Sequence, residues 1–149
     1  MGLLDNLFDS SSSSSRRSLT RTEAFAGILL SASACDGHIA DEELTSLFTT
    51  ISRMKLFENY TEQKWTSMMD HLLKILKREG VDHLAQRCCD ALPDELRESA
   101  FANACDIVLA DGVVEDEEKE FLETLQKVLE IDGDTALTIV EVMIIKNKG

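Results

Sequence analysis

Proline occurs once in 149 residues and glycine seven times, too few for the many tight turns of a sandwich or barrel. No stretch approaches the roughly 18 consecutive apolar residues of a membrane span. The opening residues lack the charged, apolar and cleavable regions of a secretory signal. The cysteines at 35, 88, 89 and 105 form no CxxC spacing, and adjacent Cys88 and Cys89 would make a strained ring if bonded together. Reduced thiols in a cytoplasmic protein are therefore expected. No Gly-rich phosphate loop, G-x-S-x-G or HExxH motif occurs, so the sequence reads as a non-enzyme. Positive charge is also scarce. Lys and Arg number 15 against 28 Asp and Glu, a net charge of −13. Nucleic acid is thus a poor ligand, whereas divalent cations and basic protein surfaces suit the chain.

What is present fits one globular, all-α domain: 44% hydrophobic and 29% charged residues at a length that buries a core without staples. The negative charge is concentrated. Residues 23–52 carry five acidic and no basic groups, and residues 91–149 carry fifteen acidic and five basic. Leu3, Leu4, Leu7 and Phe8 make a short helical stripe, followed by a serine tract from Ser10 to Ser15 and then Arg16 and Arg17. Residues 1–18 read as a flexible N-terminal segment, dispensable for folding, whose stripe associates weakly with a membrane or a membrane-bound partner. Residues 19–149 form the domain.

Apolar residues at helical spacing predict about seven helices in a compact bundle, over 20–35, 41–55, 62–79, 82–91, 93–110, 116–130 and 135–146. Thr61 is an N-cap, Gly80 a helix stop, and Pro93 a first helical residue. The last helix is the least secure by propensity, because Thr138–Val142 favours a strand. A lone strand would have no partner, so a helix is expected there.

Shifting the chain by 75 residues superposes two acidic motifs, Cys35-Asp36-Gly37-His38-Ile39-Ala40-Asp41-Glu42-Glu43 and Ala110-Asp111-Gly112-Val113-Val114-Glu115-Asp116-Glu117-Glu118. Each joins an apolar helix to an amphipathic one, implying two pseudo-symmetric helix–turn–helix repeats. An EF-hand is excluded, because its first two carboxylate positions are Ala32 and Ala34 in one copy, Ile107 and Leu109 in the other. Two readings remain. The acids at 41–43 and 116–118 serve the positive helix ends and their free amides, or carboxylates of both copies converge on a hard cation.

Preceded by Ala34 and Leu109, these stretches resemble the A-x-D-G-x-[hydrophobic]-x-x-[DE]-E repeats of the TerB family of tellurite-resistance and stress-response domains. Met54-Lys55-Leu56-Phe57 and the segment from Phe121 to Ile131 resemble that family too, so the likeness covers about residues 20–146. It implies an all-α domain that binds a divalent metal (Ca, Mg or Mn) through Asp36, Glu43, Asp111 and Glu118. It also implies work with other Ter-type stress proteins, one of them membrane-embedded, and so a cytoplasmic place, peripheral at the inner membrane face. Ala40 and Glu115 stand where the family often has Ser or Thr, implying weaker helix caps. The alternative function is a metal-independent acidic adaptor for basic proteins.

His38 could add a nitrogen ligand, but Val113 holds the equivalent place. His71 and His83 read as surface positions. Cys35 and Cys105 read as buried small hydrophobes, while Cys88 and Cys89 could engage thiophiles. Catalytic thiol chemistry on tellurite would need an exposed cysteine of low pKa.

Overall fold

The computed structural model describes residues 19–37 and 39–149. The N-terminal stripe, the serine tract and His38 lie outside the described residues. Those described form seven α-helices and no strand: α1 (Arg21–Ala34), α2 (Asp41–Ser52), α3 (Glu62–Glu79), α4 (Val81–Ala91), α5 (Arg97–Leu109), α6 (Asp116–Val128) and α7 (Gly133–Lys146). Short 3₁₀ turns cover Lys55–Phe57 and Asp94–Leu96.

Helix α1 is apolar on every side, from Ala24 through Leu30 to Ala32, and a helix of that kind has to be central. Its residues from Glu23 to Ala32 are all buried. Thr20 and Glu23 close its start as a capping box: Glu23 N–H donates to Thr20 Oγ1 at 3.2 Å, and Thr20 N–H to Glu23 Oε1 at 2.9 Å. Helix α1 packs chiefly on α4 and α5, and also on α2 and α3, while α5 carries α6 and α7. Gly27 faces Cys88 on α4 so closely that an added Cβ would overlap its Sγ.

The elements follow their local chemistry. Thr61 Oγ1 accepts from Lys64 N–H at 3.1 Å and opens α3. Gly80 ends α3 with φ 90° and lets α4 begin at once. Met68 and Met69 are in the core, and the Trp65 ring meets Phe48 at a tilt of 58° with centroids 4.8 Å apart. Asp132 caps α7 by accepting from Thr135 N–H at 3.2 Å. Residues 138–142 are helical within α7, as expected over their strand propensity.

Three boundaries differ from the periodicity. Helix α2 stops at Ser52, and Phe57 enters the core from the 3₁₀ turn instead, 6.3 Å from the Phe25 ring. Pro93 is extended, with ψ 148°, so a 3₁₀ turn intervenes and α5 proper starts at Arg97. Helix α6 ends at Val128, because Glu130 takes the left-handed conformation at φ 57° and Ile131 N–H returns to Gln126 C=O at 3.1 Å.

Candidate functional site

Helices α1 and α5 set the geometry of the acidic motifs. The start of α1 shares a cleft with the start of α5, Arg21 and Phe25 lying against Leu96 and Ser99. Their other ends carry the two Asp-Gly turns to one end of the bundle. Both turns need a left-handed residue, and both use glycine: Gly37 at φ 92° and Gly112 at φ 77°. Gly37 N–H donates to Ala34 C=O at 2.9 Å, and Gly112 N–H to Leu109 C=O at 3.1 Å, so the two chains reverse in the same way.

The electrostatics show which acids meet. The Glu118 carboxyl is pushed up from the usual carboxylate range, first by partial burial, then by the charges of Asp111, Asp36 and Glu115. The Glu115 amide, donating to Glu118 Oε1 at 2.8 Å, acts in the opposite sense. Asp36 belongs to the first repeat and Glu118 to the second, so the charge of one repeat reaches a carboxyl of the other. The Cys35 thiol reports the same convergence. Burial pushes it up to about 12, with added contributions from the charges of Glu118, Asp36 and Glu117.

Each acid also has a local duty. Asp111 Oδ1 accepts from Val113 N–H at 3.0 Å and holds the turn closed. The Glu118 bond to Glu115 N–H is half of a capping box, so α6 is capped by its third residue although no Ser or Thr precedes it. Helix α2 has no such device. Its N-cap, Ala40, offers no side-chain acceptor, as the departure at Ala40 implied. Glu43 is exposed in the first turn of α2 and is not among the charges acting on Glu118. Of the four expected ligands, Asp36 and Asp111 both act on the Glu118 carboxyl through their charges, and Glu43 is exposed at the start of α2.

Carboxylate oxygen is the right donor type for a hard cation such as Ca²⁺, Mg²⁺ or Mn²⁺. Among the described residues, however, no three His, Cys, Asp or Glu side chains are gathered closely enough to hold an ion. The donor chemistry fits, but a finished coordination shell is not built.

Beside these turns the structure adds a feature that the repeat alone did not reveal. A cleft of about 590 Å³ runs from Cys35 to the α3–α4 junction, and Glu79, Asp82, Glu117 and Glu120 line it with His83. The reversal at Gly80 and the packing of α4 on α6 bring these acids beside the motif. Only Gly80, between Glu79 and Asp82, was a signal in the sequence. His83 is exposed, whereas His71 is half-buried, a correction to its reading as a surface position.

The thiols are poor nucleophiles. Cys88, Cys89 and Cys105 are buried, whereas Cys35, expected to be buried, is half-buried because it follows the last residue of α1; none is in a disulfide. Burial pushes Cys89 and Cys105 up to about 12 and Cys88 higher still. None meets the requirement of an exposed thiol with a low pKa.

Comparison with known proteins finds no matching family model, no matching curated protein and no matching solved structure.

Proposed function

We propose that this chain is a TerB-like, non-catalytic stress-response module of the cytoplasm. It binds a divalent cation between its two acidic turns and docks partner proteins on the surface so ordered. The observation that carries the reading is that the charges of Asp36, from the first repeat, and Asp111 both act on Glu118 of the second. Like charges held this close oppose folding, and a cation is the natural means of relief. The cation supplies positive charge between the turns. The chain's part is to present carboxylates from two helix–turn–helix units and to hold Asp111 and Glu118 by hydrogen bonds from the Val113 and Glu115 amides. Binding would couple the ends of α1 and α5 and fix the acidic face for Ter-type partners. The resemblance supports a membrane-associated partner among them, with the N-terminal stripe as the peripheral contact.

The second reading is a metal-independent acidic adaptor. It is favoured by one observation, that no three ligating side chains among the described residues are already gathered around a point. Calorimetric titration with Ca²⁺, Mg²⁺ and Mn²⁺ separates the two. Saturable binding that disappears in Asp36→Asn with Asp111→Asn supports the first, and no heat with any of the three cations leaves the second.

A further inference from the structure

Helix α1 has 14 residues, about 21 Å, so its start lies at the opposite end of the bundle from Asp36. A second cleft opens there, about 570 Å³ in volume, with Phe25, Met54, Leu56 and Leu96 as an apolar lining and Arg21, Lys55 and Asn59 among its polar residues. Among the described residues, Glu58 is the one acid that borders it. Neither Arg21 nor Lys55 is ion-paired with any described residue. In a chain with nearly twice as many acids as bases, two unpaired cations beside an apolar lining call for an acidic, apolar occupant.

The chain itself contains such a segment, outside the described residues. Residues 2–9 carry Leu3, Leu4, Leu7 and Phe8, with Asp5 and Asp9 one helical turn apart. The described chain begins at Leu19, which is buried and two residues from Arg21. Nine residues, 10–18, separate Asp9 from that point. A coil of that length spans about 15–18 Å, which reaches this cleft and gives the segment an effective concentration on the order of millimolar. A site with a dissociation constant below that concentration would then be mostly filled.

We propose that residues 2–9 dock in this cleft within the same molecule, the apolar stripe on the half-buried Met54, Leu56 and Leu96 and the two aspartates toward Arg21 and Lys55. The docked segment shields its own apolar side chains, so a membrane or partner has to compete with the cleft for them. The inference does not depend on metal binding.

Nuclear magnetic resonance of the full ¹⁵N-labelled chain tests it. Asn59 borders the cleft, as does Asn103, whose side-chain amide donates to Ser99 C=O at 2.8 Å. Leu4→Asp with Leu7→Asp should shift both side-chain amide signals, equally at low and tenfold higher protein concentration. Arg21→Glu with Lys55→Glu should produce the same shifts at Asn103 and lower the heteronuclear NOE of residues 3–8. Adding Asp5→Lys and Asp9→Lys to that charge reversal should restore both. Unmoved asparagine signals in the Leu4→Asp, Leu7→Asp chain would overturn the proposal. So would a concentration-dependent shift, which assigns the segment to a second copy, or a charge swap that restores nothing.

Discussion

Gly27 sits where α1 meets α4, and its constraint is one of space. A methyl group there would collide with Cys88 Sγ and lie 3.3 Å from Leu72 Cδ2. Alanine is the better helix former by about 1 kcal/mol, yet overpacking a filled core costs about 1–3 kcal/mol. Gly27→Ala should therefore lower the urea midpoint, and Cys88→Ala in the same chain should recover part of the loss. A raised midpoint in the single variant would show that the helices are not in close contact. The thiols give a second test at this scale. With Cys35, Cys89 and Cys105 pushed up to about 12, the thiolate population at neutral pH falls by about 10³ relative to an ordinary cysteine. Iodoacetamide at pH 7.5 should label the native chain at least about 10²-fold more slowly than the urea-unfolded chain. Rapid reaction at Cys35, the least buried of the four, would contradict this. Burial of Cys105 was legible, because an apolar helix surrounds it. The closeness of Gly27 and Cys88 was not, since it depends on which helix α1 meets.

At the scale of elements, the seven helices followed from apolar spacing together with Thr61, Gly80 and Asp132. The strand-favouring run in α7 is helical because α5 offers a helix face and no described segment offers a strand edge. The boundaries at Ser52, Pro93 and Val128 were not legible. Each is set by a few backbone angles that hydrophobic spacing does not encode. The repeats make one local comparison possible. Helix α6 has its Glu118–Glu115 bond, whereas α2 starts at Ala40, whose side chain offers no acceptor to the first amides. Ala40→Ser should therefore stabilise the chain by about 0.5–1 kcal/mol, since Ala40 is already extended at φ −92° and ψ 158°. The readout is the thermal midpoint, together with slower amide exchange at Glu42 and Glu43. Glu115→Ser should do less, because α6 already has its capping bond. Equal gains at both sites would mean that the two turns are not capped differently.

For the whole molecule, net charge and the acidic repeat were visible in the sequence, but the meeting of Asp36 with Glu118 was not, because it depends on α1 and α5 ending at the same place. That meeting has a pH signature. A carboxyl raised in the folded state holds its proton more tightly there than in the unfolded chain. Its stabilising contribution is present below the ordinary carboxyl range and is lost as pH rises through the raised value. Glu118→Gln keeps an oxygen for the Glu115 amide but removes the charge. The variant should thus match the parent near pH 4 and melt higher at pH 7.5, where ionised Glu118 faces Asp36 and Asp111. A cation between the turns would reverse that order. At a hundred times its dissociation constant it adds about 2.7 kcal/mol, and it should raise the melting point of the parent while leaving Glu118→Gln much less changed. If millimolar Ca²⁺, Mg²⁺ and Mn²⁺ move neither chain, yet the pH difference remains, the repulsion is real but unrelieved by metal. The metal-independent adaptor proposed above is then the reading left to test, and Glu118 still holds the Glu115 amide at the start of α6.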